Sequence, residues 1–251
     1  MSAVENTPVL IVGGGPTGLT LSALLSRFGV ESLLVEADPD TCDHPQAHVV
    51  NRRTVEIFRS IGIEDALHAQ SDPMAQDVIR FVTSVAHEEL ACLEPRLDES
   101  RMAARLAASP SMGTSCPQDL VEPLLAARAL EGPGRILFST ELTDYVHDDD
   151  GVTATVNQAG EIRQIRARWL VGCDGASSTT RELAGIEMEG LPTLVYIVGI
   201  YCHVDLSPWM GGRPVLLYWT IDAEAPVTII HMGHNPCSVQ PAFSAGPPAL
   251  D

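Results

Sequence analysis

Apolar residues along this chain fall into runs whose period changes, and the changes mark the elements. Val9-Leu10-Ile11-Val12 is an unbroken β-branched and aliphatic run, the signature of a strand buried in a parallel sheet. From Leu19 to Phe28 the apolar positions recur at helical spacing, and Gly29 stands where a helix end favours a left-handed residue. Ser32 to Val35 returns to a strand-like run that ends in Glu36. Strand, helix and strand therefore follow one another within about 30 residues, the length of one βαβ unit.

Beyond that unit, Ala37 to Val50 is polar, carries two prolines and reads as loop. Asn51 is the expected N-cap of a helix over Thr54 to Arg59 that stops at Gly62, and Ile63 to Ala69 adds a short turn ending near Pro73. Asp77 to Ser84 alternates as a half-buried strand does, and His87 to Leu93 can return antiparallel to it. Residues 94–116 carry Ser, Pro and Met and are expected to be irregular. The segment from Pro117 to Pro123 opens a helix with Leu120, Leu124 and Ala127 on one face, stopped by Gly132-Pro133-Gly134. Arg135 to Phe138 is a third parallel strand.

Three alternating stretches near 141–147, 151–157 and 161–168, with turns at Asp150-Gly151 and Ala159-Gly160, predict an antiparallel meander. It rejoins the parallel sheet through Trp169-Leu170-Val171-Gly172. Strands at Leu194 to Val204, Pro214 to Ile221 and Val227 to His231 belong to a second sheet, together with those at 77–93. The tail 233–251 has neither periodicity nor a core-forming run and is expected to be loosely held.

Composition narrows the functional classes. With 45% hydrophobic and 19% charged residues in 251, the chain is globular, with one or two domains. A net charge of −18 argues against nucleic acid or an anionic membrane as the main partner. All 15 basic residues are arginine, which excludes a P-loop lysine and Schiff-base chemistry from this stretch. The six cysteines form no C-x-x-C pair and no zinc spacing, so they read as reduced thiols of a cytoplasmic protein. No cleavable leader and no apolar run long enough to span a membrane is visible, and no metal site is expected. His44 and His48 are four apart, but Pro45 between them argues against a helical metal pair.

The chemistry sits at the ends of the strands. Gly13-x-Gly15-x-x-Gly18 directly follows the first strand and opens the first helix. Gly13 permits a tight turn, Gly15 lets a pyrophosphate approach the backbone, and Gly18 lets helix and strand pack closely. The helix N-terminus supplies free N–H groups and about half a positive charge to the phosphates. Glu36 can accept both hydroxyls of an adenosine ribose. This pattern specifies an adenine dinucleotide without separating FAD from NAD. A second motif, Cys173-Asp174-Gly175 through Arg181, stands where a strand passes into a helix, the place where open α/β sheets bind ligands.

Taken together, GGGPTG with Glu36, AHVVNRRTVEIFRSIGIED, PQDLVEPLL, DDDGVTATV and GCDGASSTTRELAGI resemble the N-terminal part of the class A flavoprotein aromatic hydroxylases. The phenol and chlorophenol hydroxylase branch and related polyketide-tailoring enzymes are the most similar. The resemblance runs from about residue 8 to about residue 231. It implies an α/β, Rossmann-like FAD-binding fold with an antiparallel meander, plus part of a β-rich substrate domain. Residues 1–76 and 94–190 would form the FAD-binding domain, 77–93 and 191–232 the partial substrate-domain sheet, and 233–251 an irregular tail.

Carried over by position, Gly13, Gly15, Pro16, Thr17 and Gly18 would hold the FAD pyrophosphate and Glu36 its ribose. Gln118 would contact the flavin side, Asp174 would serve FAD and NAD(P)H binding, and Arg181 would close that motif. Arg52 and Arg53 read as solvent-facing helix arginines, with the cofactor phosphates as the alternative. His48 aligns with an acid/base position near the flavin and is the catalytic candidate.

The implied reaction is hydroxylation of a phenolic or polyketide-type substrate with NAD(P)H and O₂. A homodimer is compatible with the class. Two features depart from the pattern. Gln46 stands where many relatives carry Arg or Lys, and the family's Gly-Asp motif is not reached, so the chain is expected to be shortened. The rival expectations are a non-catalytic dinucleotide-binding remnant or partner subunit, and an NAD-dependent dehydrogenase.

Overall fold

The aliphatic run at Val9 to Val12 lies at the centre of a six-stranded sheet. The computed structural model describes residues 4–44, 46–71, 78–86, 88–93, 99–191, 193–206, 208, 215–222, 226–232 and 236–243. In chain order its elements begin with β1 (Glu5–Val12), α1 (Pro16–Arg27), β2 (Ser32–Val35), β3 (Val49–Val50), α2 (Arg52–Ile61) and α3 (Glu64–Gln70). Next come β4 (Ile79–Val82), β5 (Glu89–Leu93), α4 (Glu99–Ala108), β6 (Thr114–Ser115), α5 (Gln118–Leu130) and β7 (Gly134–Leu137). The meander is β8 (Thr140–Asp148), β9 (Gly151–Gln158) and β10 (Glu161–Gly172), followed by α6 (Thr179–Leu183). The last strands are β11 (Tyr196–Ile197), β12 (Ile200–His203), β13 (Leu217–Thr220), β14 (Val227–His231) and β15 (Pro236–Phe243). The chain divides into two units: Met1–Ala47, Ile57–Leu67 and Gln118–Glu189 form the first, and His48–Glu56, His68–Pro117 and Gly190–Asp251 the second.

The sheet of the first unit has the order β7-β2-β1-β10-β9-β8. β7, β2, β1 and β10 run parallel, while β9 and β8 turn antiparallel. β10 is one continuous strand that does both jobs, pairing with β9 from Glu161 to Ala167 and with β1 from Ile165 to Gly172. Leu10, Val12, Leu33 and Val35 point to one face, where Leu142, Ala154, Val156, Ile165 and Ala167 close the core around them. Burying each such leucine contributes about 1.5–3 kcal/mol. The β9–β10 turn places Ala159 and Gly160 at φ 50° and 93°, the mirror-type backbone that matches strand twist, and the Asn157 side chain accepts the Gly160 N–H at 2.8 Å.

Helix α1 buries the small residues Ser22, Ala23 and Ser26, which lets α5 come close. The Ser26 hydroxyl donates to the Ala129 carbonyl at 2.9 Å, satisfying one of the open carbonyls in the last turn of α5. The buried side of α5 is Val121, Glu122, Leu125, Ala126 and Ala129, whereas Leu120 and Ala127 are exposed and Leu124 is half-buried. The face expected from Leu120, Leu124 and Ala127 is therefore turned by one residue. Both stripes have helical spacing, and the close approach of α1 selects the one rich in alanine. Pro123 falls inside the helix on its exposed side, beyond the first turn in which a proline is best tolerated.

In the second unit the order is β11-β15-β14-β13-β4-β5, with β12 also on β15. β4 and β5 pair antiparallel, as their alternation predicts, and β13 joins β4 in parallel. Phe81 stacks on Trp219 with ring centroids 5.8 Å apart, and Tyr218 is almost fully buried. Asn51 caps its helix through the Thr54 N–H at 3.0 Å.

Three expectations are corrected in this unit. Residues 99–108, expected to be irregular, form α4, whose residues of known exposure lie largely in solvent. The expected strand at Leu194 to Val204 is divided into β11 and β12 around Val198-Gly199. The tail is not loose throughout, because 236–243 forms β15, an eight-residue strand paired with β11, β12 and β14. Residues 244–251 lie outside the described residues.

Candidate functional site

Three strand ends converge in the first unit. The Gly13 N–H donates to the Val35 carbonyl at 2.9 Å, and the Cys173 N–H donates to the Val12 carbonyl at 2.7 Å. These bonds bring the glycine motif and the Asp174-Gly175 motif side by side at the C-terminal ends of parallel strands.

The glycines then divide the work. Gly13 has φ +106°, and a Cβ there would sit 2.4 Å from the Cys173 carbonyl oxygen. A Cβ on Gly18 would lie 2.0 Å from the Gly13 carbonyl oxygen, so this glycine permits α1 to pack under the turn. Gly15 differs: nothing lies within 4 Å of where its Cβ would be. It is the N-cap of α1, its φ is −70°, no side chain caps the helix, and no acid stands in the first turn. Backbone N–H groups and open space at the positive end of a twelve-residue helix make a cradle suited to an anionic group.

That cradle opens into a cleft of about 480 Å³, to which Gly13, Gly15, Pro16, Thr17, Glu36, Gln118 and Asp174 all contribute. Glu36 is held from two sides: its Oε2 accepts the Gly14 N–H in a short contact, and its Oε1 accepts the Asp38 N–H at 2.9 Å. Each carboxylate oxygen keeps a further lone pair for a ribose hydroxyl. Among the described residues six acids line the cleft, Glu36, Asp38, Asp40, Glu122, Glu141 and Asp174, and no arginine does. Among the described residues the groups there suited to an anion are backbone N–H groups and the helix end, and Gln46, also on the lining, adds no cation.

Gln118 begins α5, and its Nε2 donates to Glu122 Oε1 at 2.7 Å. Glu122 is only 2% exposed, and its Oε2 accepts the Cys42 N–H at 2.7 Å. A carboxylate can only accept here, so the Gln118 amide is fixed with its NH₂ toward Glu122 and its carbonyl oxygen left for a ligand. Burial, helped by the interaction of the thiol itself with the Glu122 carboxylate, pushes the Cys42 thiol up to about 12. Burial also raises Asp119 above the usual carboxylate range.

Asp174 is engaged on both oxygens, accepting from the Ser178 hydroxyl at 2.7 Å and the Thr180 N–H at 2.8 Å. Burial works against its charge, but these bonds outweigh it and hold the carboxyl below its ordinary value. The acid thus fixes the turn into α6, where Ser178 caps the helix by accepting the Arg181 N–H at 2.9 Å. The Arg181 guanidinium donates to the Ile186 carbonyl at 2.8 Å and to Glu182 at 3.2 Å. It is not part of the cleft lining.

His48 lies in the second unit, where its carbonyl accepts the Cys116 N–H at 2.7 Å next to the β3–β6 pair. Its Nε2 is buried and has no hydrogen-bond partner among the described residues, and desolvation lowers its pKa. Arg53 pairs with Glu56 at 2.8 Å and Arg52 donates to the Arg105 carbonyl at 3.2 Å. Among the described residues no group of three or more His, Cys, Asp or Glu is arranged to hold a metal ion, and no helix is long and apolar enough to cross a membrane.

Sequence reasoning missed Glu122, Cys42 and Gly14. A glutamate in a helix ordinarily reads as solvent-facing, yet Glu122 stands one turn from Gln118 and next to the buried Val121. A Cβ on Gly14 would collide with Glu36 at 2.9 Å, so this glycine is what lets the Glu36 side chain reach the turn.

The model of the FAD binding domain family matches residues 6–244. The chain belongs to that family. Among curated relatives of this FAD-binding chain is the 2,4-dichlorophenol 6-monooxygenase of Delftia acidovorans, 34% identical over 238 residues, covering 92% of this chain and 40% of the relative. The aklavinone 12-hydroxylase DnrF of Streptomyces peucetius subsp. caesius is 37% identical over 204 residues, covering 79% and 42%. Among solved structures, the flavin-dependent monooxygenase PieE in complex with FAD and substrate superposes with a TM-score of 0.90 at 32% identity, covering 99% of this chain and 44% of that one. The ternary complex of aklavinone-11 hydroxylase with FAD and aklavinone gives 0.83 at 31%, covering 97% and 47%. The chain thus spans about two fifths of the length of the curated relatives it matches. The cofactor of this family is FAD, which resolves the choice the glycine motif left open.

Proposed function

We propose that this chain is the cofactor-binding portion of an FAD-dependent monooxygenase. The enzyme would use NAD(P)H and O₂ to hydroxylate a phenolic or polyketide-type aromatic substrate. The observation that carries the reading is the open cradle at Gly15, uncapped and free of first-turn acids, beside Glu36 and Gln118 in one cleft. The dichlorophenol and aklavinone hydroxylases among the relatives give the substrate class its support. Residues 1–76 with 94–190 act as the FAD-binding domain in this reading, and residues 77–93 with 191–232 as part of the substrate domain.

The residues present fit FAD. Gly13, Gly15, Pro16, Thr17 and the first turn of α1 would hold the diphosphate, and Gly18 keeps the helix in place beneath it. Glu36 would receive the adenosine ribose, and Gln118, oriented by Glu122, would offer a carbonyl oxygen to a donor on the flavin side. Asp174 sets the turn that closes the cleft, with Arg181 bracing the same turn from outside. When bound, the flavin supplies the redox and oxygen chemistry, while the protein orients the reactants and excludes water.

His48 is the candidate base for the phenol proton. Its desolvation keeps it neutral, the form able to accept a proton, but also makes it a weaker base than an exposed histidine. Even an ordinary histidine, of pKa about 6.5, lies about 3.5 units below a phenol, so the transfer is uphill by about 5 kcal/mol. The base role therefore requires a site that acidifies the phenol. A His48→Ala enzyme with an unchanged pH–rate profile removes His48 from catalysis.

A second reading, dinucleotide binding without turnover, is favoured by one observation, the six acids and no arginine among the described residues of the cleft lining. NAD(P)H consumption measured against a panel of phenols, with hydroxylated product identified by mass, separates the two. Product formation supports the monooxygenase; bound flavin with neither oxidation nor product supports the binding module. Light scattering of the same sample reads whether the assembly is the homodimer that the class allows.

A further inference from the structure

Cys202 in β12 and Cys237 in β15 stand directly opposite one another, between the pairs Tyr201↔Ser238 and His203↔Pro236. Their sulfurs are 3.4 Å apart, and both are free thiols. Directly opposed residues in an antiparallel pair have Cα atoms about 4.5–5.5 Å apart, inside the window of about 4.4–6.8 Å that a disulfide requires. The backbone is already at bonding separation, so only a rotation of the side chains divides thiols from disulfide. Cys202 is partly exposed, whereas Cys237 is fully buried.

We propose that Cys202 and Cys237 form a redox modification site, a cross-strand dithiol that hydrogen peroxide converts reversibly into a disulfide. The Cys202 sulfur, as its thiolate, attacks one peroxide oxygen; the O–O bond breaks and hydroxide leaves, taking up a proton as water. Cys202 becomes a sulfenic acid, its sulfur oxidised by two electrons as the peroxide is reduced. The Cys237 sulfur then forms the S–S bond, and the sulfenic hydroxyl departs with the Cys237 proton as a second water. In sum two thiols and one peroxide give one disulfide and two waters.

Exposure divides the roles, since peroxide reaches Cys202 and finds Cys237 as the adjacent resolving thiol. Burial, and the contact its S–H can make with the Cys202 sulfur, push the Cys237 thiol above its ordinary value, which keeps it protonated until its partner is oxidised. The bond locks β12 to β15 in the register Ile200↔Val239, and β15 also pairs with β14 and β11. Oxidation therefore staples the strand that holds this part of the second sheet together.

The test uses the reduced, purified chain treated with equimolar hydrogen peroxide. The thiol count in denaturant is expected to fall from six to four, with a loss of two hydrogens in mass and no dimer on a non-reducing gel. Pepsin mapping is expected to find the Cys202 peptide joined to the Cys237 peptide, and dithiothreitol to restore all six thiols. Hydrogen exchange of the β15 amides is expected to slow at least tenfold on oxidation. A thiol count that stays at six overturns the proposal, as does a crosslink that joins other cysteines.

Discussion

Replacing Gly15 by alanine separates a glycine kept for a ligand from a glycine kept for the fold. Gly15 caps α1 with φ −70°, and a Cβ there meets nothing within 4 Å. Alanine is a poorer N-cap than glycine, which costs roughly 0.5 kcal/mol or more. Reduced freedom of the unfolded chain returns about 0.4–1 kcal/mol. The two effects nearly cancel, so Tm without cofactor should stay within about 2 °C of wild type. The new methyl nevertheless occupies the space a diphosphate needs beside the helix N-terminus, so the Kd for FAD should rise at least tenfold, about 1.4 kcal/mol. Gly18→Ala is the counterpart. Its Cβ would lie 2.0 Å from the Gly13 carbonyl oxygen, and overpacking of that kind costs about 1–3 kcal/mol, lowering Tm by roughly 5–10 °C. Thermal melts of the apo chains and quenching of FAD fluorescence read both quantities on the same samples. An alanine at position 15 that binds FAD as wild type does would show that the diphosphate does not rest on α1, and the site would have to be rebuilt.

Further outcomes follow from the same geometry. Glu122→Gln replaces a charge-assisted acceptor by an amide, so apo Tm should fall by about 2–4 °C and FAD affinity with it. The exchange Gln118→Glu with Glu122→Gln restores the bond and the acceptor facing the ligand; a double variant that recovers no affinity would remove Gln118 from the site. His48 has a lowered pKa from burial, so its contribution is present above about pH 6.5 and is lost as pH falls below that value toward its folded pKa. Urea midpoints of wild type and His48→Asn should therefore converge on acidification, and parallel curves would refute this. Gln46→Arg places a cation on a lining that has none among its described residues, and FAD affinity should rise several-fold at low salt and lose that gain at high salt. An affinity gain that ignores salt would mean a contact other than charge.

The first unit was legible because its signals are local and reinforce one another. The run Val9 to Val12, the glycines and Glu36 all lie within one βαβ unit, and the structure places Ser32–Val35 and the meander at the expected positions. What was not legible depended on partners distant in the chain. The phase of α5 is chosen by Ser22 and Ser26 of α1, and Glu122 is buried because Cys42 and Gln118 satisfy it. β15 was hidden by Pro236 and Pro241, which demote a strand by removing donors, yet it is fixed by pairing with β14 and β12. α4 was missed although Met102 and Leu106 recur at helical spacing, because the segment lies between Pro95 and Pro110 and the helix is largely outside any core. Arg181, read as closing the Asp174 motif, donates to the Ile186 carbonyl and stands outside the cleft lining.

Calorimetric titration of the purified chain with FAD, with NADH titrated in parallel, tests the central claim most directly. One FAD should bind per chain, more tightly than NADH, and ADP should compete for the adenine end because it shares Gly15 and Glu36. No binding of FAD, or NADH binding more tightly than FAD, would contradict it.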